Sequence, residues 1–97
     1  MAKLALYVRL VPKAGKEAEV EAFLRQGAAM AEDEPRTVNW YGIKEDNGAY
    51  SVFDTFDDEA GREAHLNGDI AKALMANAEK LFAEPLHISK LSIVGNK

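Results

Sequence analysis

His65 is the side chain of this sequence that is best suited to moving a proton. An imidazole titrates near neutral pH and can take a proton from a phenol or an enol. Asp54 belongs to the predicted strand just before it and could orient the ring, so we predict His65 and Asp54 as a catalytic pair. Two alternatives stay open, because His65 could instead pack against strand aromatics and Asp54 could pair with an arginine such as Arg9.

Trp40 and Asn39 are the candidates for substrate binding. Neighbouring residues of a strand point to opposite faces of a sheet, so at most one of the two lines a given pocket. Trp40 could stack on a planar aromatic substrate, although a large aromatic side chain in a hairpin is more often part of a core. Asn39 could donate to a substrate carbonyl or to a developing anion, or it could lie at a subunit interface.

The periodicity of apolar residues assigns the elements that would position these side chains. Alternation of apolar and polar residues predicts strands over residues 4–11, 37–44, 49–56 and 86–94. Amphipathic spacing predicts a long helix over about 16–33 and a third helix from Asp69 to Pro85. Between them it predicts a short helix, which is capped by Asp57 or Asp58 and ends at Asn67-Gly68. The dipeptide Asn47-Gly48 predicts a tight turn between the second and third strands.

The order of these elements predicts the fold class. It is β-α-β-β-α-β with the second helical part split in two, which is typical of a ferredoxin-like α+β fold. Such a fold has a four-stranded antiparallel sheet with helices on one face. The uncovered face would carry Tyr7, Arg9 and aromatics of the hairpin, which is a large apolar area for a monomer. We therefore predict a homodimer joined through the open sheet face.

Length and composition limit the possible partners. With 97 residues, 47% of them hydrophobic, the chain can build one core, so we predict a single domain over residues 1–97. The formal net charge of −4 argues against a nucleic-acid partner, which would need a basic face. The absence of cysteine excludes disulfides and favours a cytoplasmic location. The apolar run over residues 4–11 is too short for a membrane span and contains Arg9.

Recognisable cofactor motifs are missing from the sequence. It has no glycine-rich phosphate loop of the kind that holds nucleotides. The two histidines lie 22 positions apart with no matching spacing of acids, so a metal site is not predicted. We expect a protein that works without a bound cofactor.

Three segments, spread over nearly the whole chain, resemble the antibiotic biosynthesis monooxygenase superfamily, whose members form dimeric α+β barrels. They are Lys13-Ala14-Gly15-Lys16 after the first strand, Glu34-Pro35-Arg36-Thr37-Val38-Asn39-Trp40 at the entry of the hairpin, and the stretch from Phe53-Asp54-Thr55-Phe56-Asp57-Asp58-Glu59-Ala60 to Ala64-His65-Leu66. The resemblance implies that this chain is a dimeric α+β barrel as well.

The resemblance also implies an activity, a cofactor-independent monooxygenase that oxidises a small quinol or phenolic aromatic with dioxygen. A base such as His65 would remove the phenolic proton, and the substrate carbanion itself would reduce dioxygen. Two other functions stay open. One is a non-catalytic ligand-binding or stress-response dimer, favoured by a single histidine without an obvious partner. The other is a small-metabolite isomerase, for which Arg9 and Arg36 are too scattered to hold a phosphate.

Overall fold

The chain folds into four strands and three helices. The structure is a computed structural model and describes residues 2–97. The elements are β1 (Leu4–Leu10), α1 (Glu17–Ala31), β2 (Thr37–Lys44), β3 (Tyr50–Phe56), α2 (Glu59–Leu66), α3 (Asp69–Leu81) and β4 (Ile88–Ser92). This order confirms the predicted β-α-β-β-α-β arrangement with a divided second helical part.

The strands form one antiparallel sheet in the order β2-β3-β1-β4. This is the order of a ferredoxin-like α+β fold, as the sequence predicts. Trp40, Asp54 and Leu6 stand in one row across β2, β3 and β1. A bulge between Thr37 and Asn39 shifts the register at the start of β2. Because the bulge precedes Trp40, the row that carries Asp54 is regular.

The core lies between this sheet and the helices. Val8 and Leu10 alternate on β1 and belong to the same buried cluster as Val20 and Leu24 of α1 and Leu74 of α3. Side chains of this kind stabilise a fold by about 1.5–3 kcal/mol each when fully buried. The cluster fixes α1 and α3 on the face of the sheet to which Leu6 and Asp54 also point.

Helix α3 ends four residues before Pro85, earlier than the sequence predicts. Its last residue is Leu81, and Phe82 adopts an extended backbone with a buried side chain. Phe82 forms an isolated antiparallel bridge with Pro12. Phe82 therefore packs in the core instead of continuing the helix, and the segment after it returns to the sheet as β4.

Among residues 2–97, no helix combines the length and the apolar character that crossing a membrane requires.

Candidate functional site

Helix α2 begins with a side-chain cap that places it over β3. The Asp58 carboxylate accepts a hydrogen bond of 2.8 Å from the Gly61 amide and a second one of 3.2 Å from Arg36. An aspartate at this position satisfies a backbone donor that has no partner within the helix. The cap fixes where α2 starts, and His65 follows two turns later on the face turned to the sheet.

A buried arginine ties α2 to the sheet. The side chain of Arg62 is 8% exposed, and its Nη1 donates to the carbonyl of Ala5 at 3.4 Å and to that of Leu91 at 3.2 Å. Its other nitrogens bind Glu59 in the first turn of the same helix. A guanidinium can satisfy several acceptors in one plane, so Arg62 holds the helix against β1 and β4.

His65 lies between two carboxylates. Its Nε2 is 2.9 Å from Asp54 Oδ2, and its Nδ1 is 2.7 Å from Glu34 Oε1. The ring also packs against Phe56 with 5.4 Å between ring centroids. The structure thus brings together the predicted pair of His65 and Asp54 and adds Glu34. We call these three residues the carboxylate–imidazole triad.

Each ring nitrogen lies within hydrogen-bond distance of a carboxylate oxygen, an arrangement that favours the imidazolium, in which both nitrogens donate. Burial by itself lowers the pKa of His65, but the hydrogen bonds and the negative charges of Asp54 and Glu34 outweigh burial and raise the pKa above its usual value. The side chains of Asp54 and His65 are 2% and 7% exposed, whereas that of Glu34 is 21% exposed. The triad therefore runs from the interior to the surface.

One carboxylate oxygen of Asp54 has no hydrogen-bond partner in the described chain. Oδ1 is buried and, within the described part of the chain, no protein group donates a hydrogen bond to it. The same holds for Nε1 of Trp40, which has no acceptor among residues 2–97. Buried polar atoms of native proteins are nearly always paired, and an unpaired one costs about 1–3 kcal/mol. A donor site and an acceptor site thus stand unused on adjacent strands.

Both of these side chains line one small internal cavity of about 40 Å³. His65 lines it as well, and the other walls are aliphatic or aromatic: Leu6, Val8, Phe23, Val52, Leu66, Ile70, Ala71, Leu74 and Ile88. An apolar pocket with a few convergent polar groups is the usual form of a small-molecule site.

A larger groove lies on the other side of the cavity wall. It has a volume of about 430 Å³ and lies between α1 and α3. Phe23 and Ile70 line both the groove and the internal cavity, so these two side chains form the partition between them.

Trp40 packs closely against Gly27 and lies near Gly42. A Cβ atom on Gly27 of α1 would lie 2.9 Å from Cη2 of the indole, and one on Gly42 would lie 3.5 Å from Cζ3. The indole therefore packs on the helix backbone itself, because Gly27 has no side chain. Trp40 is at once a wall of the cavity and a part of the core.

Asn39 and Arg9 lie away from the cavity. The Asn39 Oδ1 accepts a hydrogen bond of 2.9 Å from Thr55 on the opposite face of the sheet from Trp40. Arg9 forms an ion pair of 3.6 Å with Glu84, not with Asp54. The alternation rule correctly separates Asn39 from Trp40, and the structure leaves Trp40 as the member of that pair beside His65.

Glu34 is the site residue that sequence reasoning missed. It precedes Pro35 in the loop between α1 and β2 and is 31 positions from His65. Only the return of this loop under α2 brings the two together, and Thr37 Oγ1 donates to the same Glu34 oxygen at 2.8 Å. The segment from Glu34 to Trp40 does appear in the family resemblance, which is the one signal that pointed to it.

The triad does not form a metal centre. Within residues 2–97, no group of three or more histidine, cysteine, aspartate or glutamate side chains has the arrangement needed to hold a metal ion. In the triad, both ring nitrogens of His65 are already engaged in hydrogen bonds.

Comparison with known proteins yields relatives among solved structures only. No protein-family model matches the chain, and no curated protein matches it. The protein of unknown function NE2512 from Nitrosomonas europaea is 47% identical, with a TM-score of 0.94 over 100% of this chain and 94% of that one. A "putative antibiotic biosynthesis monooxygenase" from Caulobacter crescentus is 22% identical, with a TM-score of 0.83 over 97% of this chain and 92% of that one. An antibiotic biosynthesis monooxygenase is 13% identical, with a TM-score of 0.81 over 95% of this chain and 99% of that one.

Proposed function

We propose that the chain is a cofactor-independent monooxygenase of a small quinol or phenol. The proposal proceeds from two findings: the chain belongs to one family with NE2512, and it has the fold of the antibiotic biosynthesis monooxygenase superfamily. The observation that carries the proposal is that Asp54 and Trp40 line the same apolar cavity, while Oδ1 of the one and Nε1 of the other are buried without a partner in the described chain.

A hydroxyl group is the small group that suits both atoms. It donates one hydrogen bond and accepts others, so it can donate to Asp54 and accept from Trp40 at the same time. The rest of the cavity is aliphatic or aromatic, which favours a ring as the carrier of that hydroxyl. A phenol or a quinol combines the two features.

Asp54 is the group that takes the phenolic proton in this proposal. The sequence favoured His65 for that role, but both of its ring nitrogens are engaged, whereas Oδ1 of Asp54 has no protein donor in the described chain. His65 then acts behind Asp54, as the hydrogen-bond partner that holds the carboxylate through Oδ2 and leaves Oδ1 for the substrate. Proton removal by a positioned side chain contributes about 10²–10⁴-fold to a rate.

The reaction that follows balances without a cofactor. The phenolate supplies electrons to dioxygen through the ring carbon that lies para or ortho to its oxygen. A carbon–oxygen bond forms, the oxygen–oxygen bond breaks, and the second oxygen atom leaves as water with the proton held by Asp54 and the hydrogen of that ring carbon. The substrate gives up four electrons and becomes a quinone, and dioxygen takes up all four.

Admission of a ring requires the cavity wall to move. An apolar cavity of about 150 Å³ holds benzene in an engineered protein, whereas the cavity beside Asp54 has about 40 Å³. Displacement of Phe23 and Ile70 would join it to the groove between α1 and α3. We propose that the substrate enters from this groove and places its hydroxyl on Asp54.

Oxygen consumption with menadiol as the probe tests the proposal. We expect uptake that is unchanged by a chelator and reduced about 10²–10⁴-fold in Asp54→Asn, with the fold intact by circular dichroism. Glu63→Gln is the control, because it removes a carboxylate from the solvent side of α2, the helix that carries His65. Equal uptake by wild type and Asp54→Asn would remove Asp54 from the mechanism.

Ligand binding without turnover is the second candidate, and the small volume of the cavity favours it. A binding protein would be stabilised against heat by a phenol in proportion to ligand concentration, yet it would consume no oxygen. Thermal shift and oxygen uptake on the same sample separate the two functions. An isomerase of a phosphorylated metabolite is not supported, because the described residues that line the cavity include no lysine or arginine.

A homodimer through the open sheet face is part of the proposal. Tyr41, Phe53 and Tyr7 stand in one row on that face, and Ile43 follows on β2. Tyr41 is 53% exposed and Ile43 is 37% exposed, which is unusual for neighbouring large apolar side chains. A second copy of the chain would bury this row. Light scattering should give a dimer for wild type and a monomer for Tyr41→Glu, and a monomeric wild type at micromolar concentration would refute the interface.

The single domain over residues 1–97 and the cytoplasmic location stay predictions from the sequence, the latter based on the absence of cysteine.

A further inference from the structure

We infer that Glu34 is a positioning residue, which holds His65 as an imidazolium in one ring orientation, so that the ring binds Asp54 through Oδ2 and leaves Oδ1 for a bound molecule. The inference rests on the proposed function for its catalytic meaning. Its structural part concerns the triad alone and can be tested without a substrate.

The two sides of His65 face different spaces. On the inner side the ring lines the 40 Å³ cavity with Asp54. On the outer side it lines a surface groove of about 290 Å³, of which Glu34 is also a wall. Glu34 does not line the inner cavity, so it cannot touch a molecule bound there. Any effect of Glu34 on the reaction must therefore pass through the His65 ring.

The hydrogen bonds decide the charge of that ring. With one carboxylate, a histidine needs only one N–H and can stay neutral in a buried site. A second carboxylate 2.7 Å from Nδ1 gives the other ring nitrogen a partner as well, which favours a ring that donates on both sides and carries a positive charge. That charge lies 2.9 Å from Asp54 Oδ2, so the ring and the buried carboxylate form a close pair.

The geometry of Glu34 suits this role. Thr37 Oγ1 donates to the same oxygen at 2.8 Å and fixes the carboxylate toward the ring. At 21% exposure, the Glu34 side chain keeps contact with water, while the ring that it holds is buried. The outer carboxylate thus anchors the inner pair.

The other charged groups on the outer side have different partners or positions. Asp33, Arg36 and Asp69 line the same outer groove. Arg36 binds Asp58, and both ring nitrogens of His65 are taken by Glu34 and Asp54. Asp33 is exposed and carries the same charge in the same groove, so Asp33→Asn controls for a general field effect.

Nitrogen-15 NMR of the imidazole over a pH series is the first measurement, on full-length protein without substrate. We expect both ring nitrogens of wild type to be protonated at neutral pH. Glu34→Gln should lower the pKa of His65, because an amide still accepts the hydrogen bond but has no charge. Asp33→Asn should leave that pKa near the wild-type value. If Glu34→Gln leaves it unchanged, or if Asp33→Asn lowers it as much, the inference is wrong.

The pH profile of menadiol-dependent oxygen uptake is the second measurement. The alkaline limb reports loss of the imidazolium, so Glu34→Gln should move this limb to lower pH and reduce turnover at pH 8 on the order of tenfold. An alkaline limb that stays at the same pH in Glu34→Gln overturns the inference. A wild type with no oxygen uptake refutes the proposed function, and the NMR measurement then tests the role of Glu34 alone. If Glu34→Gln does not fold, Glu34→Asp keeps the charge but withdraws it from the ring, and it should lower the pKa in the same direction.

Discussion

Replacing Gly27 by alanine tests whether Trp40 is held against bare helix backbone. The new Cβ would lie 2.9 Å from Cη2 and 3.0 Å from Cζ2 of the indole. Carbon atoms in good contact are about 3.5–4.0 Å apart, so the indole has to move by roughly half an ångström or more. Trp40 also lines the cavity at Asp54, so a displaced indole changes the wall of that cavity.

Two effects of opposite sign set the size of the change. Alanine is better than glycine inside a helix by about 1 kcal/mol, which would stabilise α1. Forcing an extra methyl group into a packed core costs about 1–3 kcal/mol. We therefore expect the free energy of unfolding to fall by about 1 kcal/mol, some 2 kcal/mol below the value that helix propensity alone predicts. A loss of about 1 kcal/mol lowers the melting temperature of a domain of this size by roughly 4–8 °C.

Urea denaturation followed by circular dichroism and by fluorescence provides the assay. Trp40 is the only tryptophan of the chain, so a displaced indole should change the emission of the native state directly. Ala22→Gly is the control, because Ala22 is exposed in the same helix and measures the propensity term alone. Protein concentration is kept constant, since a dimer would make stability depend on it. If Gly27→Ala stabilises the protein by as much as Ala22→Gly destabilises it, with unchanged emission, the close packing of Trp40 is refuted.

The remaining predictions concern the parts that hold the triad. Burial lowers the pKa of His65, but Asp54 and Glu34 outweigh burial, so the pKa in the folded state is raised. The stabilisation by charged His65 is therefore complete below about pH 6.5 and is lost as the pH rises through the pKa of the folded state. Urea titrations should show a steeper loss of stability with pH in wild type than in His65→Gln, and parallel curves would contradict this. Arg62→Met should destabilise by about 1–3 kcal/mol, because a buried carbonyl of β1 and a part-buried carbonyl of β4 lose this donor. A neutral result in the same assay would show that the two hydrogen bonds do not contribute to stability. Asp58→Ala should cost about 1 kcal/mol and Asp58→Ser much less, since serine also caps a helix; equal losses would deny the cap.

The local patterns were sufficient to predict most of the fold. Apolar residues at every second position of β1 place Val8 and Leu10 on the helix-covered face, as predicted. The Asn47-Gly48 dipeptide predicts the reversal between β2 and β3, where Gly48 has a φ of +91° that other residues rarely adopt. These features depend on neighbours within a few positions, so the sequence reveals them.

The ends of elements were harder to predict, because contacts distant in sequence decide them. Phe82 continues the helical pattern of α3, yet the structure uses it as a buried bridge partner of Pro12. Sequence periodicity cannot weigh a core contact 70 positions away against one more turn of helix. The same reasoning applies to the last strand, which is shorter than its alternation suggests.

The sequence was sufficient to select two residues of the site, but not to assign their roles. His65 and Asp54 were chosen by residue type and lie 2.9 Å apart in the structure. Glu34 was not, because its approach to His65 depends on how a loop after α1 returns beneath α2. Without Glu34, the ring would have a free nitrogen and would be the natural base. With it, the free acceptor in the described site is Oδ1 of Asp54.

Menadiol-dependent oxygen uptake by wild type and Asp54→Asn, in the presence of a chelator, tests the central claim most directly. The account predicts that wild type consumes oxygen and forms the oxidised quinone product, and that the variant, folded and still paired with His65 through its amide oxygen, loses this activity about 10²–10⁴-fold. Uptake that is absent in wild type, or that persists undiminished in Asp54→Asn, would contradict it.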